Sequence, residues 1–344
     1  MLKKFDDLDP AKLYNVVANS FEQVENAWQC QVDHISIKAN EITNILYTGL
    51  GGSAISGDLL KNALRDELNV FYAVNRNYEL PKYVNEKTLL IVSSYSGNTE
   101  ETIAALQQGI AKKCSIICVT TGGKIEEIAK ENNIPVVYMQ KGFQPRYALY
   151  TSFFTILKVL QQVSLISDKK ILVEKSIHLL KIRGEAFLKE NNRASIIAGQ
   201  LKNKLPIIYS TSDFTDSIGL RLKGQLNENS KSHAFHNSFP EMNHNEIVGW
   251  ETVKDGDVSY AIISIIDVSY NERVKKRYAI LNEIFNKTDL PIITVESNES
   301  DFLLRLLDMM YLSDCISYYL AIANEKDPAE IDYIHFLKEE LSKI

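Results

Sequence analysis

Short apolar runs that end in glycine-rich or hydroxyl-rich turns, each followed at once by a helical pattern, restrict this chain more than any other feature. The first is Asn44-Ile45-Leu46-Tyr47, which leads through Thr48-Gly49-Leu50-Gly51-Gly52-Ser53 into a helix reaching about Arg65. Val70-Phe71-Tyr72 is a weaker run. Thr88-Leu89-Leu90-Ile91-Val92 is a strong one, opening into Ser93-Ser94-Tyr95-Ser96-Gly97-Asn98-Thr99 and a helix to about Ala111, and Ser115-Ile116-Ile117-Cys118-Val119 and Ile134-Pro135-Val136-Val137-Tyr138 complete the series. Strands alternating with helices predict an α/β fold: a parallel sheet flanked by helices on both faces, with ligands at the carboxyl ends of its strands. Both hydroxyl-rich loops fall on that edge, each just before a helix start. Amide hydrogens, the positive end of the helix dipole and short hydroxyl donors converge there, so phosphate is the expected guest.

The second half repeats the plan. Leu205-Pro206-Ile207-Ile208-Tyr209-Ser210-Thr211-Ser212 corresponds to the first strand and its loop, Ser259 to Ile266 to the Leu89 strand, and Leu290-Pro291-Ile292-Ile293-Thr294-Val295 to the Ile116 strand. Between the halves, Tyr150 to Val163, Lys169 to Glu190 and Ser195 to Leu201 have helical spacing and no convincing strand. The expected organisation is an N-terminal domain over 1–150, a helical connector over 151–203 and a C-terminal domain over 204–344. The glycine cluster is not repeated: its counterpart is Ser210-Thr211-Ser212-Asp213, which assigns the two lobes different tasks. A helix is predicted from Asp9-Pro10 to about Cys30, with Asp9 as N-cap. Two helices end the chain, Asp301 to about Ala323 and Glu330 to about Ser342, the latter with an Ile331, Ile334, Leu337, Leu341 stripe.

With 344 residues, 45% of them hydrophobic, the chain can fill two cores, and a net charge of -6 with acids and bases intermixed argues against a nucleic-acid surface. Cys30, Cys114, Cys118 and Cys315 lack paired CxxC spacing, and Met1-Leu2-Lys3-Lys4-Phe5-Asp6-Asp7 turns acidic instead of opening an apolar segment. Buried free thiols, a cytoplasmic location and no membrane span are expected.

Neither GxxxxGK[ST] nor a good GxGxxG is present, and serine and threonine stand where a nucleotide loop has lysine, which favours a phosphate monoester over a dinucleotide. Glu228, between Asn227 and Asn229 at the end of a predicted helix, is either solvated surface or a general base acting on a carbon-bound proton. His236, Glu241, His244 and Glu246 carry groups that bind zinc elsewhere, but they fall in no regular ligand register, so no metal is expected and acid/base use of His244 is as easy. Arg146, in Gln144-Pro145-Arg146-Tyr147, follows the last strand of the first lobe and so lies on the edge that carries the loops. Lys338, taken alone, reads as a solvated helix lysine.

Together, Gly51-Gly52-Ser53, Ser94-Tyr95-Ser96-Gly97-Asn98-Thr99, Gln144-Pro145-Arg146, Asn227-Glu228-Asn229 and Asn243-His244-Asn245-Glu246 resemble the bifunctional phosphoglucose/phosphomannose isomerases, which are built from two sugar isomerase (SIS) domains. The match runs over nearly the whole chain. The resemblance implies two SIS-type lobes and a cofactor-free, metal-free isomerisation of aldose to ketose sugar phosphates. It implies that the phosphate lies on Ser53, Ser94, Ser96 and Thr99, with Gly51 and Gly52 in the same loop. Glu228 then moves the proton between C2 and C1 through a cis-enediolate, and Arg146 stabilises the developing charge. His244, contributed in similar enzymes by a second subunit, and Lys338 assist ring opening, so a homodimer is implied. The competing expectation is a silent SIS-type sensor that binds sugar phosphate without turning it over.

Overall fold

The computed structural model describes residues 5, 7–32, 35, 37–255, 257–288 and 290–343; positions 1–4 and 6 of the acidic opening segment lie outside the described residues. The chain divides into two compact units, Asn19–Ile182 with Asp301–Leu304, and Met1–Ala18 with Arg183–Ser300 and Arg305–Ile344.

The helix predicted from Asp9 forms in two pieces. Asp9 does act as a cap, its carboxylate accepting from the N–H groups of Leu13 and Tyr14 at 2.9 Å each, but the first helix, α1, is Leu13–Ala18 and a second, α2, is Ser20–Gln29. The division between the two compact units falls at this break. Val17 of α1 accepts a hydrogen bond from Tyr311, whereas Gln23 of α2 bonds the Tyr147 carbonyl, so each piece serves a different body.

In the unit of residues 19–182, β1 (Asn44–Thr48), α3 (Gly51–Ala63), β2 (Phe71–Asn75), β3 (Thr88–Ser94), α4 (Glu100–Ala111), β4 (Ser115–Thr120), α5 (Gly123–Glu131) and β5 (Val136–Tyr138) build a parallel sheet of order β2-β1-β3-β4-β5. Helix α6 (Leu149–Gln162) follows. β3 is buried at every position. Leu90 and Val92 pack with Leu46, Leu106, Ile116 and Ile125 on one face, and Leu89 and Ile91 point to the other, so apolar runs rather than alternation mark these strands.

After α7 (Lys170–Phe187) and α8 (Arg193–Leu201), the other unit builds its sheet from β6 (Leu205–Thr211), β7 (Phe235–Phe239), β8 (Tyr260–Ile265) and β9 (Ile292–Val295), all parallel in the order β7-β6-β8-β9. Helices α9 (Asp216–Glu228) and α10 (Glu272–Phe285) cover its faces, and α11 (Phe302–Ala323) and α12 (Asp332–Leu341) end the chain. The strand order matches β2-β1-β3-β4, which bears out the duplicated plan. The sequence reading passed over β7 because Phe235-His236-Asn237-Ser238 is polar; it is an edge strand paired only to β6 and needs no apolar run.

Helix α11 is long and apolar enough to cross a membrane, and 89% of its most apolar window is buried within the fold. The apolar stripe expected of the last helix is not a buried one: α12 has no buried residue, and Leu337 is 57% exposed. Of the cysteines, Cys118 and Cys315 are buried as expected, whereas Cys30 and Cys114 are only half-buried; all four are free.

Candidate active site

In the β2-β1-β3-β4-β5 sheet (sheet A; the β7-β6-β8-β9 sheet is sheet B) the strand order reverses between β1 and β3, the position at whose carboxyl ends such sheets bind ligands, and the chain leaves both strands there into helix starts. The β1 turn is held from beneath: Tyr47 donates its hydroxyl to the Ser53 carbonyl at 2.8 Å, and burial pushes this phenol up to about 12, so it stays a donor. Ser53 Oγ in turn accepts from the main-chain N–H of Tyr95 at 3.1 Å, tying the first loop to the second. In the second loop Ser94 Oγ lies 3.0 Å from Thr99 Oγ1 and accepts the Gly97 N–H at 3.1 Å, while Ser96 is exposed and its Oγ accepts the Asn98 N–H at 3.3 Å. Ser53 and Ser94 are buried. Gly97 sits at φ +71°, and a Cβ there would come within 1.7 Å of the Gly122 carbonyl oxygen, so only glycine closes this turn.

Arg146 belongs to the same place. It lies in a short 3-10 turn, Pro145–Tyr147, and is 4% exposed. Gly52 lets this turn approach: a Cβ on Gly52 would meet the Pro145 carbonyl oxygen at 2.5 Å and the Arg146 Cα at 3.1 Å. Gly51, Gly52, Ser53, Ser94, Ser96, Thr99 and Arg146 are thus gathered at one edge of one compact unit. Two helix starts, several hydroxyls and a buried guanidinium together suit a phosphate and a second developing negative charge.

Tyr95 is the residue of this edge that sequence reasoning passed over. Its hydroxyl donates to the Gln140 carbonyl and accepts the Phe143 N–H, both at 2.9 Å. Its carbonyl accepts from Thr121, at 2.7 Å from the hydroxyl and 3.2 Å from the N–H. The only signal in the sequence was its position between two serines.

Glu228, His244 and Lys338 belong to the other compact unit. Glu228 is half-buried and ends α9, a helix fastened to α11 along one face. Arg221 forms a buried bidentate pair with Asp314 (2.9 and 3.2 Å), Gln225 donates to the same carboxylate at 3.1 Å, and Asn229 donates to Ser317 Oγ at 2.9 Å. These residues recur every fourth position, the spacing that aligns side chains along a helix. Ser230 adds a bond to the Ser317 carbonyl at 2.7 Å. The asparagine and serine that follow Glu228 therefore anchor the end of the helix.

His244 stands elsewhere in this layer. α9 returns the chain to the amino edge of sheet B, and β7 then carries it back to the carboxyl edge, where His244 lies exposed in the 3-10 turn Glu241–His244. A helix of α9's length spans roughly 20 Å, so Glu228 and His244 of one chain flank opposite edges. Met242 is fully buried, Asn243 accepts from Arg277 at 3.1 Å, and Glu246 accepts the buried Tyr209 hydroxyl at 2.7 Å. His236 is bonded to Ser210 Oγ at 2.7 Å, and among the described residues no three His, Cys, Asp or Glu side chains form a metal-sized group. Lys338 is exposed on α12.

The crevice of sheet B between β6 and β8 holds no counterpart of the serine loops. Thr215 and Tyr270 share a short hydroxyl contact, Tyr270 donates to the Ile265 carbonyl at 3.1 Å, and Asp267 pairs with Arg305. These side chains bond one another and the main chain where the first sheet carries its serine loops.

Family models for an SIS domain and for the bacterial phospho-glucose isomerase C-terminal SIS domain match residues 39–164 and 190–341 respectively. The chain is 38% identical over 337 residues to the bifunctional phosphoglucose/phosphomannose isomerase of Caldicellulosiruptor bescii, covering 96% of this chain and 99% of that one. It is 32% identical over 337 residues to the protein of the same name from Aquifex aeolicus, at 96% and 99% coverage. In structure it is similar to the C-terminal domain of glucosamine-fructose-6-phosphate aminotransferase from Francisella tularensis, with a TM-score of 0.68, 16% identity and coverage of 96% and 97%. That last likeness is one of fold.

Proposed function

This chain belongs to the bifunctional phosphoglucose/phosphomannose isomerase family, and from that premise we propose that it interconverts glucose 6-phosphate and mannose 6-phosphate with fructose 6-phosphate. The observation that carries this reading is the gathering of two hydroxyl-lined helix starts and the buried Arg146 at one sheet edge. The phosphate is held on Ser53, Ser94, Ser96 and Thr99, with the backbone at Gly51 and Gly52 leaving room for it. Glu228 takes the proton from C2 of the aldose and returns it to C1, and Arg146 neutralises the enediolate oxygen formed between the two transfers. Because C2 is planar in the enediolate, rotation about the C2-C3 bond lets the same base return the proton to either face, which accounts for two aldoses at one site. No metal takes part, and His244 and Lys338 assist ring opening.

In this reading the domain over 1–150 holds the phosphate, residues 151–203 connect, and the domain over 204–344 supplies the base. The active form is a cytoplasmic homodimer. The placement of Glu228 and His244 at opposite edges of sheet B supports it, since a second chain can bring its own His244 to the first chain's Glu228. The test is a coupled assay of the purified protein with fructose 6-phosphate, scoring glucose 6-phosphate and mannose 6-phosphate separately, before and after dialysis against a strong chelator. Both products with undiminished rate after dialysis are expected. Absence of both products would leave a binding protein without turnover, and loss restored by zinc would overturn the metal-free mechanism.

A further inference from the structure

We infer that Tyr95 is a positioning residue for Arg146, an inference that rests on the isomerase reading above. Each polar group of this residue is committed to a different loop at the carboxyl edge of sheet A. Its N–H holds Ser53 in the β1 turn, its carbonyl receives Thr121 after β4, and its hydroxyl closes the segment after β5 by bonding both the Gln140 carbonyl and the Phe143 N–H. That last segment is the one that delivers Arg146. Between Phe143 and Arg146 lie only Gln144 and Pro145, and the Pro145 carbonyl rests against Gly52 of the phosphate loop. Tyr95 is buried, 8% exposed as a whole residue, so packing as well as its bonds holds it in place.

The consequence is mechanical coupling. Loop segments without regular hydrogen bonding change conformation easily, and 140–144 is such a segment, with Gly142 at φ +106°. A single phenol pins it at both ends, at Gln140 and at Phe143, to the residue that also orients Ser53. Arg146 is thereby kept at constant distance from the phosphate loop, and an arginine that stabilises charge only in the transition state depends steeply on that distance.

The test uses Tyr95→Phe and Arg146→Ala, singly and combined, in the full chain. Phenylalanine keeps the ring and the main-chain N–H on Ser53 but removes both hydroxyl bonds. The expected result is a fall in kcat on the order of tenfold, with KM and the inhibition constant of inorganic phosphate changed by less than about twofold. In the Arg146→Ala background the same substitution should change kcat by less than about twofold, because no guanidinium remains to be placed. Equal losses in both backgrounds, a loss carried by KM and phosphate inhibition, or an unchanged kcat in Tyr95→Phe would overturn the proposal while leaving the isomerase reading intact. An Arg146→Ala enzyme with the wild-type kcat would remove Arg146 from the mechanism and the proposal with it. The denaturant midpoint of Tyr95→Phe is measured alongside, and if it is lowered all four proteins are assayed at a temperature where each is folded, with the same outcomes deciding.

Discussion

Ser53 and Ser94 are buried at no evident cost because each oxygen already accepts a main-chain N–H, whereas Glu228 stands half-buried beside neighbours that bond to something else. A phosphate-binding group needs a fixed orientation, whereas a general base needs a position from which it can reach the carbon-bound proton of the substrate. Glu228→Gln should therefore keep fructose 6-phosphate binding, measured by calorimetry, while turnover in the coupled assay falls by at least about a thousandfold. Retained turnover would remove Glu228 as the base. A second prediction concerns His236, whose imidazole is held down to about 4, by burial first and by the Lys223 charge second, from an ordinary value of 6.5. Its folded value lies below the unfolded one, so the unfolded chain binds the extra proton in that interval. The contribution to stability is full above about pH 6.5 and is lost as pH falls toward about 4, amounting to about 2 kcal/mol between about pH 7.5 and pH 5. Urea midpoints over that range should show the slope, and His236→Gln should flatten it.

At the scale of elements, most of the plan was legible. Ile45, Leu46, Leu89 to Val92 and Ile116 to Val119 identify strands because a parallel strand is covered on both faces and has no polar side to display. β7 escaped because an edge strand can be polar, and the break at Asn19 escaped because helical spacing of Val16, Val17, Phe21 and Val24 continues through it; only packing onto two different bodies divides the helix. The polar clamps between elements were hidden as well, since pairs such as Arg221 with Asp314 and Arg305 with Asp267 join residues 93 and 38 positions apart. The second pair is the more demanding. Burial acts to raise the Asp267 carboxyl, but the Arg305 and Ser269 hydrogen bonds outweigh it and hold it below its ordinary value. Arg305→Met would leave a fully buried carboxylate without its partner and should destabilise the fold by about 3–5 kcal/mol, read from the denaturant midpoint. Adding Asp267→Asn to that variant should recover part of the loss.

For the whole molecule, the proposed dimer makes a complementation prediction. If each site combines Glu228 of one chain with His244 of another, Glu228→Gln and His244→Ala proteins, each inactive alone, should regain roughly a quarter of wild-type activity after mixing and subunit exchange, because half of the random dimers then hold one intact site. No recovery after demonstrated exchange would place both residues in the same chain's site. The family, the α/β class and the duplicated strand order were determined by the sequence alone, since apolar runs, helix periods and turn glycines are local properties that each segment carries with it. Tertiary structure decided what the loops became. The hydroxyls of the serine loops in sheet A bond one another and main-chain N–H groups at two helix starts, whereas at the equivalent position in sheet B Tyr270 pairs with Thr215 and Asp267 with Arg305. It also decided that Tyr95 joins three loops and that Asn229 anchors a helix end, because such roles depend on partners brought together by folding and leave no pattern in the residues on either side.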